Sequence, residues 1–127
     1  MIKQVINVGG KWKVIVYYNI NYNLFYYIAS DLKAIEISNS TIKRIYKNMY
    51  LRKGKAVTIS NIDYKTSVVC FNTHTNRYDY INSIAHEAEH VKQAMLKAYR
   101  VKDKGEPPAY TVGYLIMKML EFFKLLC

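Results

Sequence analysis

The stretch Ile81–Gln93, "INSIAHEAEHVKQ", decides how this chain is organised. Its apolar residues Ile81, Ile84, Ala85, Ala88 and Val91 recur at three- and four-residue spacing, and Met95 continues the stripe, so it reads as a helix laid on a sheet. A helix advances about 100° per residue, which sets His86 and His90 about 40° apart and one turn removed on a common side, away from that stripe. Their expected neighbours there, Ser83, Gln93, Ala94 and Lys97, are small or polar and suit the floor of a cleft. Outward from the stretch, Asn76 with Asp79 three residues on predicts the start of the helix, which runs to about Arg100 and is broken by Gly105. Glu106 then precedes Pro107 and Pro108, and proline suits a first helical turn, so a last helix starts beside Glu106.

On the N-terminal side, residues 3–7 and 12–18 ("WKVIVYY") are rich in Val, Ile and aromatics and flank "GGK", which predicts a β-hairpin. Leu24, Tyr27, Ile28, Leu32 and Ile35 have the spacing of a first helix. A second is expected after Ser40 as its N-cap, with Ile42, Ile45, Tyr46 and Met49 on one side, stopping near Gly54. "AVTIS" and "TSVVCF", separated by the turn-like "NIDYK", predict a second antiparallel pair. The expected order is β-β-α-α-β-β-α-α, an α+β fold with a small antiparallel sheet covered by helices around a single core, one domain spanning 1–127.

With 51% hydrophobic and 22% charged residues the chain lies far from disordered compositions. Its net charge of +10 favours polyanions, anionic lipid or an acidic partner without choosing among them. The opening "MIKQVINVGG" alternates apolar and polar residues and has no signal-peptide core, so a cytoplasmic location in the producing cell is expected. Cys70 and Cys127 are too few for a disulfide framework and too far apart for a zinc knuckle, and are read as reduced thiols. Lys118, Glu121 and Lys124 interrupt the apolar tail every three residues, which points to a half-buried terminal helix and no membrane span.

"HEAEH" carries the chemistry. Two imidazoles on neighbouring turns can reach one ion, and zinc takes imidazole nitrogen readily. A shuffled chain with three His and five Glu in 127 residues yields H-E-x-x-H roughly 0.003 times, which argues against coincidence. A catalytic zinc needs a third protein ligand from another segment. Glu106 is the leading candidate because an acidic residue at a helix start is held rigidly, with Asp103 and His74 as rivals. The base beside the ion is open on geometry: "HEAEH" also reads as the reversed H-x-x-E-H, so Glu87 and Glu89 both qualify. Gln93 and Leu96 stand where the metzincin extension requires glycine and histidine, which excludes that group.

Through "FNTHTNRYDYINSIAHEAEH" and the following "GEPPAYTVGYL", the chain resembles the gluzincin side of the zincin metallopeptidases, in particular very short zincin-like proteins encoded by phages and prophages. The resemblance covers roughly the last 60 residues, and the N-terminal half only in its pattern of hairpin and helices. It implies a zincin-like fold with His86, His90 and Glu106 as zinc ligands, Glu87 as general base and acid, and Tyr110 as a hydrogen-bond donor to the oxyanion. A zinc-dependent peptidase acting on a peptide or protein substrate follows. The alternative is an inactive zincin-fold scaffold, an interaction or virion-associated protein with phage partners. A further alternative rests on Lys43, Arg44, Lys47, Arg52, Lys53 and Lys55, whose charge could neutralise nucleic-acid phosphates, although no nucleic-acid-binding motif accompanies them.

Overall fold

The computed structural model describes residues 1–122 and shows an α+β fold, a four-stranded mixed sheet with four helices. Strands β1 (Ile2–Val8) and β2 (Trp12–Tyr18) form the first hairpin. Gly9 and Gly10 both take positive φ, 60° and 69°, a conformation that L side chains disfavour and that matches the strand twist at a tight hairpin. Helices α1 (Phe25–Ala34) and α2 (Asn39–Tyr46) follow, and a wide π turn, Lys47–Leu51, extends α2. Strands β3 (Ala56–Asn61) and β4 (Thr66–Phe71) make the second hairpin, before α3 (Arg77–Tyr99) and α4 (Glu106–Met119).

The strands lie in the order β1-β2-β4-β3, with both hairpins antiparallel and β2 parallel to β4. The expected all-antiparallel sheet is therefore corrected. "TSVVCF" is buried at every position of β4, whereas "AVTISN" in β3 is half-buried throughout, so the strand with the bulkier apolar run Val68–Phe71 takes the centre and the other the edge. The helical connection delivers the chain into β3 running opposite to β2, and the β3–β4 hairpin reverses it once more, so β4 lies parallel to β2.

The single core expected from the length is replaced by two apolar layers, one on each face of the sheet. Val14, Val16, Tyr18, Val69 and Phe71 point to α3 and α4, where they meet Tyr80, Ile84, Ala88, Val91, Leu115 and Met119. Ile15, Tyr17, Val68 and Cys70 point the other way, onto Phe25, Ile28 and Leu32 of α1 and Ile42 and Ile45 of α2. Burial on both faces thus explains the continuous apolar stretches Val14–Tyr18 in β2 and Val68–Phe71 in β4. In α1 it is Phe25 that packs inward, while Tyr27 is 52% exposed, against expectation.

One helix start also differs from expectation. Ser38, not Ser40, caps α2, its side chain accepting from the Thr41 backbone N–H at 3.2 Å. Asn76 caps α3 as predicted, through bonds to the Tyr78 and Asp79 N–H groups. Arg100, at φ 55°, ends α3, because the Val101 N–H turns back to the Leu96 carbonyl at 3.0 Å in a left-handed C-cap. Gly105, with φ 81°, is instead the residue before α4, whose first turn holds both prolines. Lys124 and Cys127 lie outside the described residues, and among those described no helix is long and apolar enough to cross a membrane.

Candidate metal centre and its surroundings

Helix α3 crosses the sheet above β3 and β4 and is rolled relative to the predicted stripe. Tyr80, Ser83, Ile84, Glu87, Ala88 and Val91 are buried, whereas Ile81 is exposed and Ala85 half-buried. The Tyr80 ring packs against Phe71 at 5.7 Å between centroids and removes more apolar area from water than Ile81 would, which sets the roll. Ser83, expected on the cleft floor beside the histidines, is consequently buried.

His86 and His90 stay on the outer side, both exposed, with Nε2 atoms 3.0 Å apart and ring centroids 4.6 Å apart. The roll separates the two glutamates that geometry on paper left equivalent. Glu87 turns toward the sheet, is 4% exposed, and accepts a hydrogen bond from Thr58 Oγ1 at 2.8 Å. Thr58 belongs to the edge strand, where alternation aims Val57 and Ile59 at the opposite layer and leaves Thr58 facing α3. A recess of about 240 Å³ opens between the two elements, lined by Lys55, Ala56, Asn82, Ser83, His86 and Glu87. Glu89 faces solvent and is engaged elsewhere: Lys92 Nζ lies 2.6 Å away and Gln93 Nε2 donates to it at 3.1 Å. The hydrogen bond from Lys92 holds its carboxyl below the ordinary range.

The candidates for a third ligand occupy three different settings. Asp103 accepts from Lys92 Nζ at 3.0 Å and Gln93 Nε2 at 2.7 Å, which pins the α3–α4 connection to α3 and holds that carboxyl below its usual value, Lys92 being the main cause. His74 bridges the Asn72 carbonyl at 2.7 Å and Ser83 Oγ at 2.9 Å, with its ring edge-on to Tyr80. Glu106 is exposed at the start of α4 and lines a separate cavity of about 430 Å³ together with Ala109, Tyr110, Gly113, Tyr114 and Met117. Tyr110 is 73% exposed there, so neither it nor Glu106 lines the recess of His86 and Glu87. Among the described residues no three or more His, Cys, Asp or Glu side chains form a group that could hold a metal ion. The structure brings His86 and His90 together, sets Glu87 beside His86 in the recess, and leaves Glu106 and Tyr110 in a separate cavity.

Thr58 is the residue that sequence reasoning missed. A threonine on a half-buried edge strand has no local signal, and only the packing of α3 on β3 gives it the Glu87 carboxylate. Behind it, burial, with a further push from the Glu87 charge, raises the Cys70 thiol to about 12, as befits an inert core cysteine. Comparison of the chain with family models, with curated proteins and with solved structures finds no match.

Proposed function

We propose that this chain is a divalent-metal-dependent, zincin-like peptidase, with zinc the first candidate ion, centred on His86, His90 and Glu87. The observation that carries the reading is the 3.0 Å separation of the two Nε2 atoms beside a buried, anchored glutamate. Two imidazole nitrogens each about 2.0–2.1 Å from one tetrahedral zinc lie about 3.3 Å apart, so the pair fits an ion after a shift of a few tenths of an ångström. Glu106 is proposed as the carboxylate that completes the set. It shares a cavity with Tyr110, so the two act together or not at all.

An ion held there supplies Lewis acidity toward a peptide carbonyl. The protein's own residues do the remainder. His86 and His90 bind from the open side of α3. The Thr58 hydroxyl occupies Oε1 of Glu87 and fixes the carboxylate at the recess, and its second oxygen takes a proton from water and returns it to the leaving amine. Glu89 is a poor base by comparison, since Lys92 and Gln93 already occupy it.

A second reading keeps the scaffold without turnover, as an interaction or virion-associated protein. It draws on the same distance, because 3.0 Å also suits an N–H···N hydrogen bond in which the histidines share a proton. Metal analysis decides. The peptidase reading expects close to one zinc per chain after loading and dialysis, loss of it in His86→Ala and His90→Ala, and reduced retention in Glu106→Ala. Glu87→Gln should keep the metal and lose casein hydrolysis by at least about a hundredfold. Wild-type protein that retains no stoichiometric metal would sink the reading, and hydrolysis surviving Glu87→Gln would remove the proposed base.

A further inference from the structure

Residues 37–62 contain six cations, Lys43, Arg44, Lys47, Arg52, Lys53 and Lys55, and no Asp or Glu, which concentrates much of the +10 net charge in one fifth of the chain. All six are exposed, and among the described residues only Lys55 forms an ion pair, with Asp79 at 3.3 Å. Charge alone would describe a solvated face. Here it borders a cluster of rings: Tyr22 lies 4.7 Å from Tyr50 and 5.7 Å from Tyr46, Tyr46 lies 5.4 Å from Tyr50, and Phe25 lies 5.0 Å from Tyr46.

Two cavities flank that cluster, and each sets lysines beside aromatic rings. One, of about 300 Å³, has apolar walls including Phe25 and Tyr46 with Lys43 and Lys47 beside them. The other, of about 420 Å³, combines Tyr22, Tyr50, Lys53 and Lys55 with the polar Asn72 and Thr73. Both sit at the lower end of the roughly 300–1,000 Å³ typical of ligand pockets. Asn72 builds the second by donating to the carbonyls of Met49 at 2.9 Å and Gly54 at 2.6 Å and accepting from the Tyr22 hydroxyl. The π turn between the cavities, closed by the Arg52 N–H on the Lys47 carbonyl at 3.1 Å, sets Tyr50 next to Tyr46 while leaving it 47% exposed. Wide turns of this kind recur at functional sites.

We propose that this face binds single-stranded nucleic acid, with phosphates tracking Lys43, Lys47 and Lys53 and bases stacking on Tyr46 and Tyr50 in the two cavities. Positive charge interleaved with rings is the chemistry of sequence-tolerant strand binding. Rings set in cavities are reached by splayed-out bases and not by the paired bases of a duplex. Concave walls likewise suit a base better than a flat lipid surface. The site is independent of the histidine pair, so the metal reading can fail without affecting it.

Fluorescence anisotropy with a labelled dT20 strand, the same-length duplex and phosphatidylserine vesicles tests the assignment. Single-strand affinity should fall roughly 50-fold between 50 and 200 mM salt if about four phosphates are engaged, at about 0.7 ion released per phosphate. Tyr50→Ala should weaken binding about fivefold or more with an unchanged salt slope, since base stacking on one ring is worth at least that much. Lys47→Glu/Lys53→Glu should reduce both affinity and slope. Circular dichroism verifies that these exposed-site variants fold. No strand binding at 50 mM salt overturns the proposal, as does binding that neither variant changes. Duplex or vesicles bound as tightly through the same residues would reassign the face, and loss of binding in His86→Ala would move the site elsewhere.

Discussion

On the α1–α2 side of the sheet the cations stand outside an apolar layer, whereas the α3–α4 side draws polar side chains into its core. Gln4, Ser67, Ser83, Glu87 and Lys92 are all buried there, and each has a partner: Tyr18 and the Lys118 carbonyl for Gln4, Trp12 for Ser67, His74 for Ser83, Thr58 for Glu87, Glu89 and Asp103 for Lys92. Such groups are costly unless satisfied, so their bonds specify one arrangement of α3 against β3 and α4. The opposite layer buries Thr66, bonded to the Tyr64 carbonyl, but leaves the six cations of residues 43–55 at the surface. The two faces thus differ in where their chemistry sits, at a built-in recess on one and on an open rim on the other.

That contrast can be broken most severely through the apolar layers themselves. Leu32→Ala in α1 and Ile84→Ala in α3 each empty a fully buried position, and each should cost about 2–5 kcal/mol in urea unfolding. A loss below about 1 kcal/mol for Leu32→Ala alone would mean that the α1–α2 layer adds little to the cooperative unit.

A smaller effect sharpens the polar side. Thr58→Val leaves the buried Glu87 carboxylate without its hydroxyl donor and should cost about 1–3 kcal/mol. Glu87→Gln should cost less, because its amide oxygen still accepts from Thr58. If thermal unfolding ranks the two in the opposite order, that hydrogen bond does not anchor the glutamate.

The smallest effect is the most specific to pH. Glu89 and Asp103 are held below their ordinary carboxyl values mainly by Lys92, and Lys92 is held above its ordinary 10.5 mainly by Glu89. Carboxyls lowered in the folded state stabilise it above their unfolded values, and that stability is lost as pH falls through the folded ones. The raised lysine acts in the opposite direction, its contribution complete below its unfolded value and lost as pH rises through the folded one. Lys92→Met should therefore melt below wild type at pH 7 and approach it as acid protonates both carboxyls. A gap in melting temperature that stays constant from pH 7 down to pH 2 contradicts an electrostatic origin.

Much of the architecture was legible in the chain. The Gly9–Gly10 turn between two β-rich runs, the Asn76 cap and the prolines at the start of α4 are read from a few adjacent residues, and the structure places them accordingly. The juxtaposed imidazoles are equally local, since four-residue spacing on a helix brings His86 and His90 together whatever lies beneath. Local signals were misleading where two similar residues competed: Ser38 over Ser40 as cap, Phe25 over Tyr27 in the core. Each winner is decided by how the neighbouring chain enters the packed layer, which no short window contains.

By itself the sequence determined which segments are helix or strand and that two histidines share one side of α3, because those properties depend on residues within a turn or two of one another. Only the tertiary structure decided that β4 joins β2 in parallel, that α3 rolls to bury Glu87 and expose Glu89, and that Thr58 holds the buried carboxylate. These outcomes arise from distant segments competing for the same buried area, where the winner is the arrangement that covers the most apolar surface while leaving each buried polar group a partner.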